Sequence, residues 1–96
     1  MSVHQFMSEH ISDIREIIEQ MEKPFDTHAF IKKFARRFQV EYVGLLSQYS
    51  QEPFEKVHNQ IGKFLLEKKE LLGIQPNSKV KSENIFGEKN ENEKWN

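Results

Sequence analysis

Apolar residues recur every three or four positions from Val3 to Leu72, and this spacing limits most of the chain to helices. The clearest case begins at Phe54, after which apolar positions fall within about 100° of a helical wheel and charged positions fall opposite. Gly73 and Pro76 then predict a left-handed C-cap and a stop. The last helix is therefore expected to end at Leu72.

A second apolar stripe occupies the first part of the chain and ends at Pro24. Its spacing alternates between four and three residues, which is close to the heptad repeat of helices that pair. Acidic residues flank the stripe. We therefore expect one helix that pairs with another, within a bundle or across a homodimer. The predicted dimer seam consists of Val3, Met7, His10, Ile14, Ile17 and Met21.

Three phenylalanines predict the buried face of a further helix. Phe30, Phe34 and Phe38 recur four residues apart, so their rings lie on one side of a helix. Asp26 and Thr27 precede them, and both suit an N-cap. We expect this helix to begin there.

After Gly73 the composition changes. The segment is too polar to hold a core of its own, and residues 87–94 are polar and low in complexity. Such a stretch buries too little apolar area to offset its ordering entropy. From the residues alone, we expect disorder there unless Trp95 docks on the helices.

Together these patterns predict an all-α fold, a compact bundle of three to four helices with an extended, mostly irregular C-terminal segment. A tight turn at Gln39 is favoured over one long helix. Residues 1–75 would form a single helical domain, and residues 76–96 a polar C-terminal segment. The alternative fold is a winged-helix variant in which Lys79-Val80-Lys81 is a short strand.

Composition excludes several classes of protein. The 96 residues include no cysteine, which removes disulfides, thiolate nucleophiles and cysteine-based zinc sites and favours a reducing compartment. No apolar run exceeds three residues, whereas a membrane span needs roughly 18. We therefore expect a cytoplasmic protein that does not bind a membrane.

The net charge is −1, but charge is unevenly distributed along the chain. Residues 1–27 hold two basic and six acidic groups, and residues 28–69 hold eight and four. Four cations flank or oppose the phenylalanines, where they would contact phosphates or pack against the acidic first helix. The candidate phosphate-binding residues are Lys32, Lys33, Arg36 and Arg37, and the candidate base-reading residues are Asn59, Gln60 and Lys63.

Four histidines raise the question of a metal, but their spacing does not match that of ligand pairs. His58 projects to the rim of the apolar face of the last helix, with Gly62 one turn further on. We interpret it as a half-buried histidine with one satisfied nitrogen. There is no phosphate-binding loop and no catalytic serine motif. The sequence therefore predicts no metal, no cofactor and no enzymatic activity.

Two motifs resemble those of a group of small bacterial proteins without an assigned activity. They are Val57-His58-x-x-Ile61-Gly62 and Ser82-x-Asn84-Ile85-Phe86-Gly87 followed by Trp95. The similarity covers roughly residues 28–95. It implies a bacterial cytosolic setting, and it implies that Ile85, Phe86 and Trp95 fold back onto the helices. Because this conflicts with the disorder predicted for residues 87–94, we expect Ile85 and Phe86 to dock and the polar stretch before Trp95 to be loosely held.

The sequence thus favours a non-enzymatic interaction or regulatory protein that acts by pairing of helix faces. A protein partner or a second copy of the chain would be its target. The alternative is a small DNA-binding protein that uses the basic face of the second helix.

Overall fold

The computed structural model describes all 96 residues and shows an α+β fold, so the predicted all-α fold is wrong. Six helices pack with one three-stranded antiparallel sheet. None of the helices is both long and apolar enough to span a membrane. The elements are α1 (Val3–Glu9), α2 (Ile11–Glu19), β1 (Phe25–Asp26), α3 (Thr27–Arg37), α4 (Gln39–Leu46), α5 (Pro53–Glu67), α6 (Lys69–Leu72), β2 (Pro76–Glu83) and β3 (Lys89–Trp95).

The error lies in residues 76–96, which form a β-hairpin rather than an irregular segment. Strands β2 and β3 pair antiparallel from Glu83↔Lys89 to Pro76↔Trp95. Most of their side chains are polar and exposed, so the sequence lacks the apolar alternation that marks a half-buried strand. Backbone pairing and the burial of Trp95 hold the hairpin in place instead.

The hairpin turn has its own local signals. The Asn84 side-chain oxygen accepts hydrogen bonds from the backbone amides of Phe86 and Glu88. Gly87 has a φ of 78°, a left-handed conformation that favours glycine. Asparagine followed three residues later by glycine therefore marks this turn.

The sheet order is β1-β3-β2, with the short strand β1 paired to β3 at Phe25↔Trp95. The strand expected at Lys79-Val80-Lys81 in the alternative fold is confirmed as part of β2.

Helix boundaries agree with the capping signals. The Asp26 side chain accepts a hydrogen bond from the Ala29 amide at the start of α3, as predicted. The favoured turn near Gln39 is confirmed, because the helix breaks at Phe38. Gly73 adopts the predicted left-handed C-cap with a φ of 70°.

Two predicted helices are each divided by one non-helical residue. His10 separates α1 from α2, and its ring nitrogen Nδ1 lies 2.9 Å from the carbonyl oxygen of Phe6. Lys68 separates α5 from α6. The apolar spacing continues across both breaks, which is why the sequence predicts a single helix in each case.

One hydrophobic core joins the helices and the sheet. The rings of Phe30 and Phe34 are fully buried in it, and Trp95 from the end of β3 is only 1 % exposed. The face of α5 that carries Ile61 and Leu65 lies in the same core. Residues 76–96 thus share the core of residues 1–75, because Trp95 packs among their apolar side chains.

Candidate functional site

A groove of about 830 Å³ lies between α5 and the β2–β3 hairpin. Along α5, Phe54, His58, Gly62 and Leu66 line it at intervals of four residues, which places them on one side of the helix. One lip of the groove consists of Glu55, Asn59 and Lys63 of α5, and the other includes Lys79, Glu88, Glu91 and Glu93 of the hairpin.

The hairpin is fixed to the first turn of α3. The indole nitrogen of Trp95 donates a hydrogen bond to the Thr27 hydroxyl over 2.9 Å, and that hydroxyl donates to the Glu93 carbonyl over 3.3 Å. The His28 amide donates to the Asn92 side chain over 2.9 Å. Amides in the first turn of a helix have no partner within the helix. Asn92 therefore satisfies an amide that would otherwise need water.

The His28 side chain strengthens this attachment. Its Nδ1 lies 3.1 Å from both the carbonyl oxygen and the hydroxyl oxygen of Ser82. A carbonyl oxygen only accepts hydrogen bonds, so Nδ1 carries the proton and donates it. Nδ1 then has no lone pair with which to activate the Ser82 hydroxyl. This serine–histidine pair holds the hairpin in place and is not a nucleophile with its base.

His58 and Tyr42 form a second polar pair beneath the groove. Their rings stack with an interplanar angle of 9°, and the Tyr42 hydroxyl lies 2.5 Å from His58 Nε2. Burial, together with the charge of His28, lowers the pKa of His58 to about 4. Burial also raises the pKa of Tyr42 to about 12. Near neutral pH the phenol therefore donates a hydrogen bond to an uncharged imidazole.

An exposed aromatic residue lies at the hairpin tip. Phe86 is 58 % exposed, and its ring meets Phe54 edge to face with centroids 4.8 Å apart. Ile85 is partly buried against the core. The resemblance to small bacterial proteins implies that Ile85 and Phe86 both dock on the helices. This docking is confirmed for Ile85, whereas Phe86 contacts Phe54 and keeps most of its surface in solvent.

The charge around the groove is acidic. Five glutamates and two lysines line it, and one of the lysines, Lys79, forms a salt bridge with Glu93 over 3.4 Å. His58 is uncharged near neutral pH. The lips therefore repel anions and attract cations.

The predicted phosphate-binding residues lie elsewhere, on the exposed surface of α3. Arg37 donates to Glu16 over 3.1 Å and to Asp13 over 2.8 Å. These two carboxylates raise the pKa of Arg37. Of the two roles predicted for the cations, phosphate contact and packing against the acidic first helix, Arg37 takes the second. The remaining three, Lys32, Lys33 and Arg36, are exposed and form no salt bridge.

The predicted base-reading residues do not form one surface. Asn59 and Lys63 line the groove. Gln60 is half-buried on another side of α5, where its side-chain amide donates to the Tyr49 hydroxyl over 2.7 Å. None of the lysines and arginines of α3 lines the groove. The structure thus separates the phosphate-binding candidates from the base-reading candidates.

The predicted dimer seam is covered by the chain itself. Val3, Met7, Ile14 and Ile17 are each less than 5 % exposed within a single chain. The seam positions at His10 and Met21 are half-buried. The stripe is therefore one wall of the intramolecular core, and in this fold a second copy does not reach its four buried side chains.

Sequence reasoning placed His58 correctly but missed most of the anchoring residues. His58 is half-buried with Nε2 hydrogen-bonded, as predicted. Thr27, His28 and Asn92 were not identified as a network, because 64 or more positions separate the helix from its partners in β3. The available signals were the alternation at Lys79-Val80-Lys81, which indicates a strand, and the Asn84–Gly87 pair, which indicates a turn.

No group of three or more histidine, aspartate or glutamate side chains is placed to hold a metal ion. No protein-family model, curated protein or solved structure matches the chain. The resemblance to small bacterial proteins therefore stays a prediction.

The His58 pair predicts a specific pH dependence of stability. The pKa of His58 is about 4 in the fold and about 6.5 when the chain is unfolded, so the unfolded state binds more protons between these values. The free energy of unfolding therefore falls as the pH is lowered from 7 towards 4. Since the ring is partly exposed, we expect a loss on the order of 1 kcal/mol from this group.

Urea unfolding of the wild type and of His58→Gln at several pH values measures this contribution. Glutamine can still accept from Tyr42 but does not titrate, so its stability should fall less as the pH is lowered. His4→Gln is the matched control, since His4 is exposed, and it should keep the wild-type pH dependence. An unchanged pH dependence in His58→Gln would contradict the assignment.

Proposed function

We propose that this protein is a non-catalytic interaction module that binds a segment of a protein partner in the groove between α5 and the hairpin. The observation that carries the proposal is the groove itself, whose hairpin wall is hydrogen-bonded to α3 and whose rim exposes Phe86. Its volume of about 830 Å³ is within the range of binding clefts that are formed before the ligand arrives.

The polar groups beneath the groove support binding rather than catalysis. His28 donates from Nδ1 to Ser82, and His58 is neutral and hydrogen-bonded to Tyr42. Every buried side-chain nitrogen and oxygen has a hydrogen-bond partner. A site built in this way is rigid and satisfied, which lowers the entropic cost of binding a partner.

The proposal keeps the interaction role that the sequence suggests but moves the surface that performs it. Pairing through α1 and α2 would require Val3, Met7 and Ile14 to leave the core. The groove needs no such rearrangement, because its lips are already in solvent. A bacterial cytoplasmic setting belongs to the proposal, and a sequence without cysteine is consistent with it.

Site-specific photocrosslinking in cells that make the protein tests this function. We expect benzoylphenylalanine in place of Asn59, on the lip of the groove, to give a discrete protein adduct. The adduct should disappear when Phe86→Asp is added, because the aromatic rim is lost.

The matched control places the same probe at Glu67, which is exposed at the end of α5 and does not line the groove. We expect no adduct from Glu67. Equal adducts from both positions, or none from Asn59, would overturn the proposal.

DNA binding is a second candidate, which one observation favours. Lys32, Lys33 and Arg36 lie on one exposed helix surface without carboxylate partners, and free cations of this kind suit phosphate oxygens. The acidic groove argues against base readout by α5, so contact would be limited to the backbone.

Fluorescence anisotropy with a mixed-sequence duplex tests this second candidate. Three phosphate contacts predict a slope of about −2.7 for log affinity against log salt, or about fortyfold weaker binding at about 200 mM than at about 50 mM salt. The variant with Lys32→Glu, Lys33→Glu and Arg36→Glu should lose binding.

A charge-matched control carries Lys56→Glu, Lys81→Glu and Lys89→Glu at exposed positions elsewhere and should bind like the wild type if α3 is the contact. Absence of binding by the wild type at low salt, or equal losses in both variants, would rule out the α3 surface as a DNA site.

A further inference from the structure

We propose that the occupant of the groove is a basic segment of a protein partner, in which arginine or lysine side chains flank an apolar anchor. The cations would lie at the acidic end of the groove near the hairpin tip, and the anchor would pack on Phe54 and Phe86. This inference rests on the proposed function and specifies the chemistry of its ligand.

The groove has two different ends. Phe54 at the start of α5 touches Phe86 at the hairpin tip. A Cβ atom at Gly62, two turns further along α5, would lie 3.6 Å from Thr27, the residue that anchors Trp95 at the base of the hairpin. The groove therefore runs along α5 from the hairpin tip to the hairpin base.

Charge separates these two ends. Glu52, Glu55 and Glu88 lie near the tip, line the groove and form no salt bridge. The lysines Lys63 and Lys79 lie towards the base. From Glu55 to Lys63 the helix rises about 12 Å. The carboxylates at the tip end are thus separated from the lysines of the groove by more than one helical turn.

His58 adds no positive charge to the tip end near pH 7. The His58 ring lies one turn after Phe54 on the same side of α5 and contacts it. His58 is uncharged near pH 7 because its pKa is about 4. Glu52, Glu55 and Glu88 are all exposed, so they attract a cation as surface charges do and this attraction weakens as salt is raised. The same charges repel phosphate, so a nucleic acid is a poor occupant of this groove.

The aromatic pair completes the recognition surface. The edge-to-face contact with Phe54 fixes the Phe86 ring, and 58 % of Phe86 remains in solvent. An apolar side chain can pack on this ring, and a guanidinium can lie over its face. Carboxylates beside an exposed aromatic ring therefore select cationic and apolar side chains together.

Selection of random short peptides displayed on phage against the full chain tests the inference. We expect the enriched peptides to combine arginine or lysine with an apolar residue, and synthetic fluorescein-labelled copies to bind more weakly as salt is raised. The double variant Glu55→Lys with Glu88→Lys should weaken these peptides about tenfold or more.

The control for net charge is Glu67→Lys with Glu70→Lys, two exposed positions outside the groove, and it should weaken binding no more than about twofold. Equal losses in both double variants would overturn the inference, because bulk charge would then explain binding.

Two further outcomes separate this inference from the proposed function. Enriched peptides that are neutral or acidic, and that lose binding in Phe86→Asp, would overturn the basic ligand and leave the groove as a binding site. Enriched peptides that bind Phe86→Asp and the wild type equally would overturn both.

Discussion

The attachment of the C-terminal hairpin to the first turn of α3 is the contact on which the rest of the structure depends. Trp95 is buried with its indole N–H donated to Thr27, and His28 binds Asn92 and Ser82 on the two strands. A two-stranded hairpin is at best marginally stable in water. Here the side chains of Thr27 and His28 supply hydrogen-bond partners for the hairpin, and Asn92 of the hairpin supplies an acceptor for the His28 amide.

The groove follows from this attachment. Once β3 is fixed beside α3, the hairpin extends past α5 and leaves a space between them, closed at one end by the contact of Phe54 with Phe86. Beneath it, Tyr42 and the half-buried His58 are hydrogen-bonded to each other. No buried side-chain nitrogen or oxygen beneath the groove lacks a hydrogen-bond partner.

The sequence predicts the features that local chemistry determines. The Asp26 cap, the break near Gln39 and the left-handed Gly73 depend on neighbouring residues alone, and all three are confirmed. The hairpin does not depend on a local apolar pattern, because its strands are polar and only Trp95 is deeply buried. It forms through backbone pairing and through contacts across 54 to 68 positions, which periodicity does not reveal.

The candidate site was harder to predict for the same reason. His58 lies on the rim of an amphipathic helix, and its half-buried state follows from the helical wheel. The groove needs both α5 and the hairpin, so its glutamates appear in the sequence only as scattered charges. The heptad-like stripe from Val3 to Met21 is a local pattern whose partner the sequence does not reveal. Its spacing is typical of paired helices, but its side chains pack inside one chain.

Hydrogen exchange of the Trp95 indole proton, followed by NMR, tests this account most directly, because the protein has a single tryptophan. We expect this proton to exchange as slowly as the most protected core amides, since it is released only on global unfolding. Exchange as fast as that of an exposed indole, in an otherwise folded protein, would show that the hairpin is not anchored and would contradict the account.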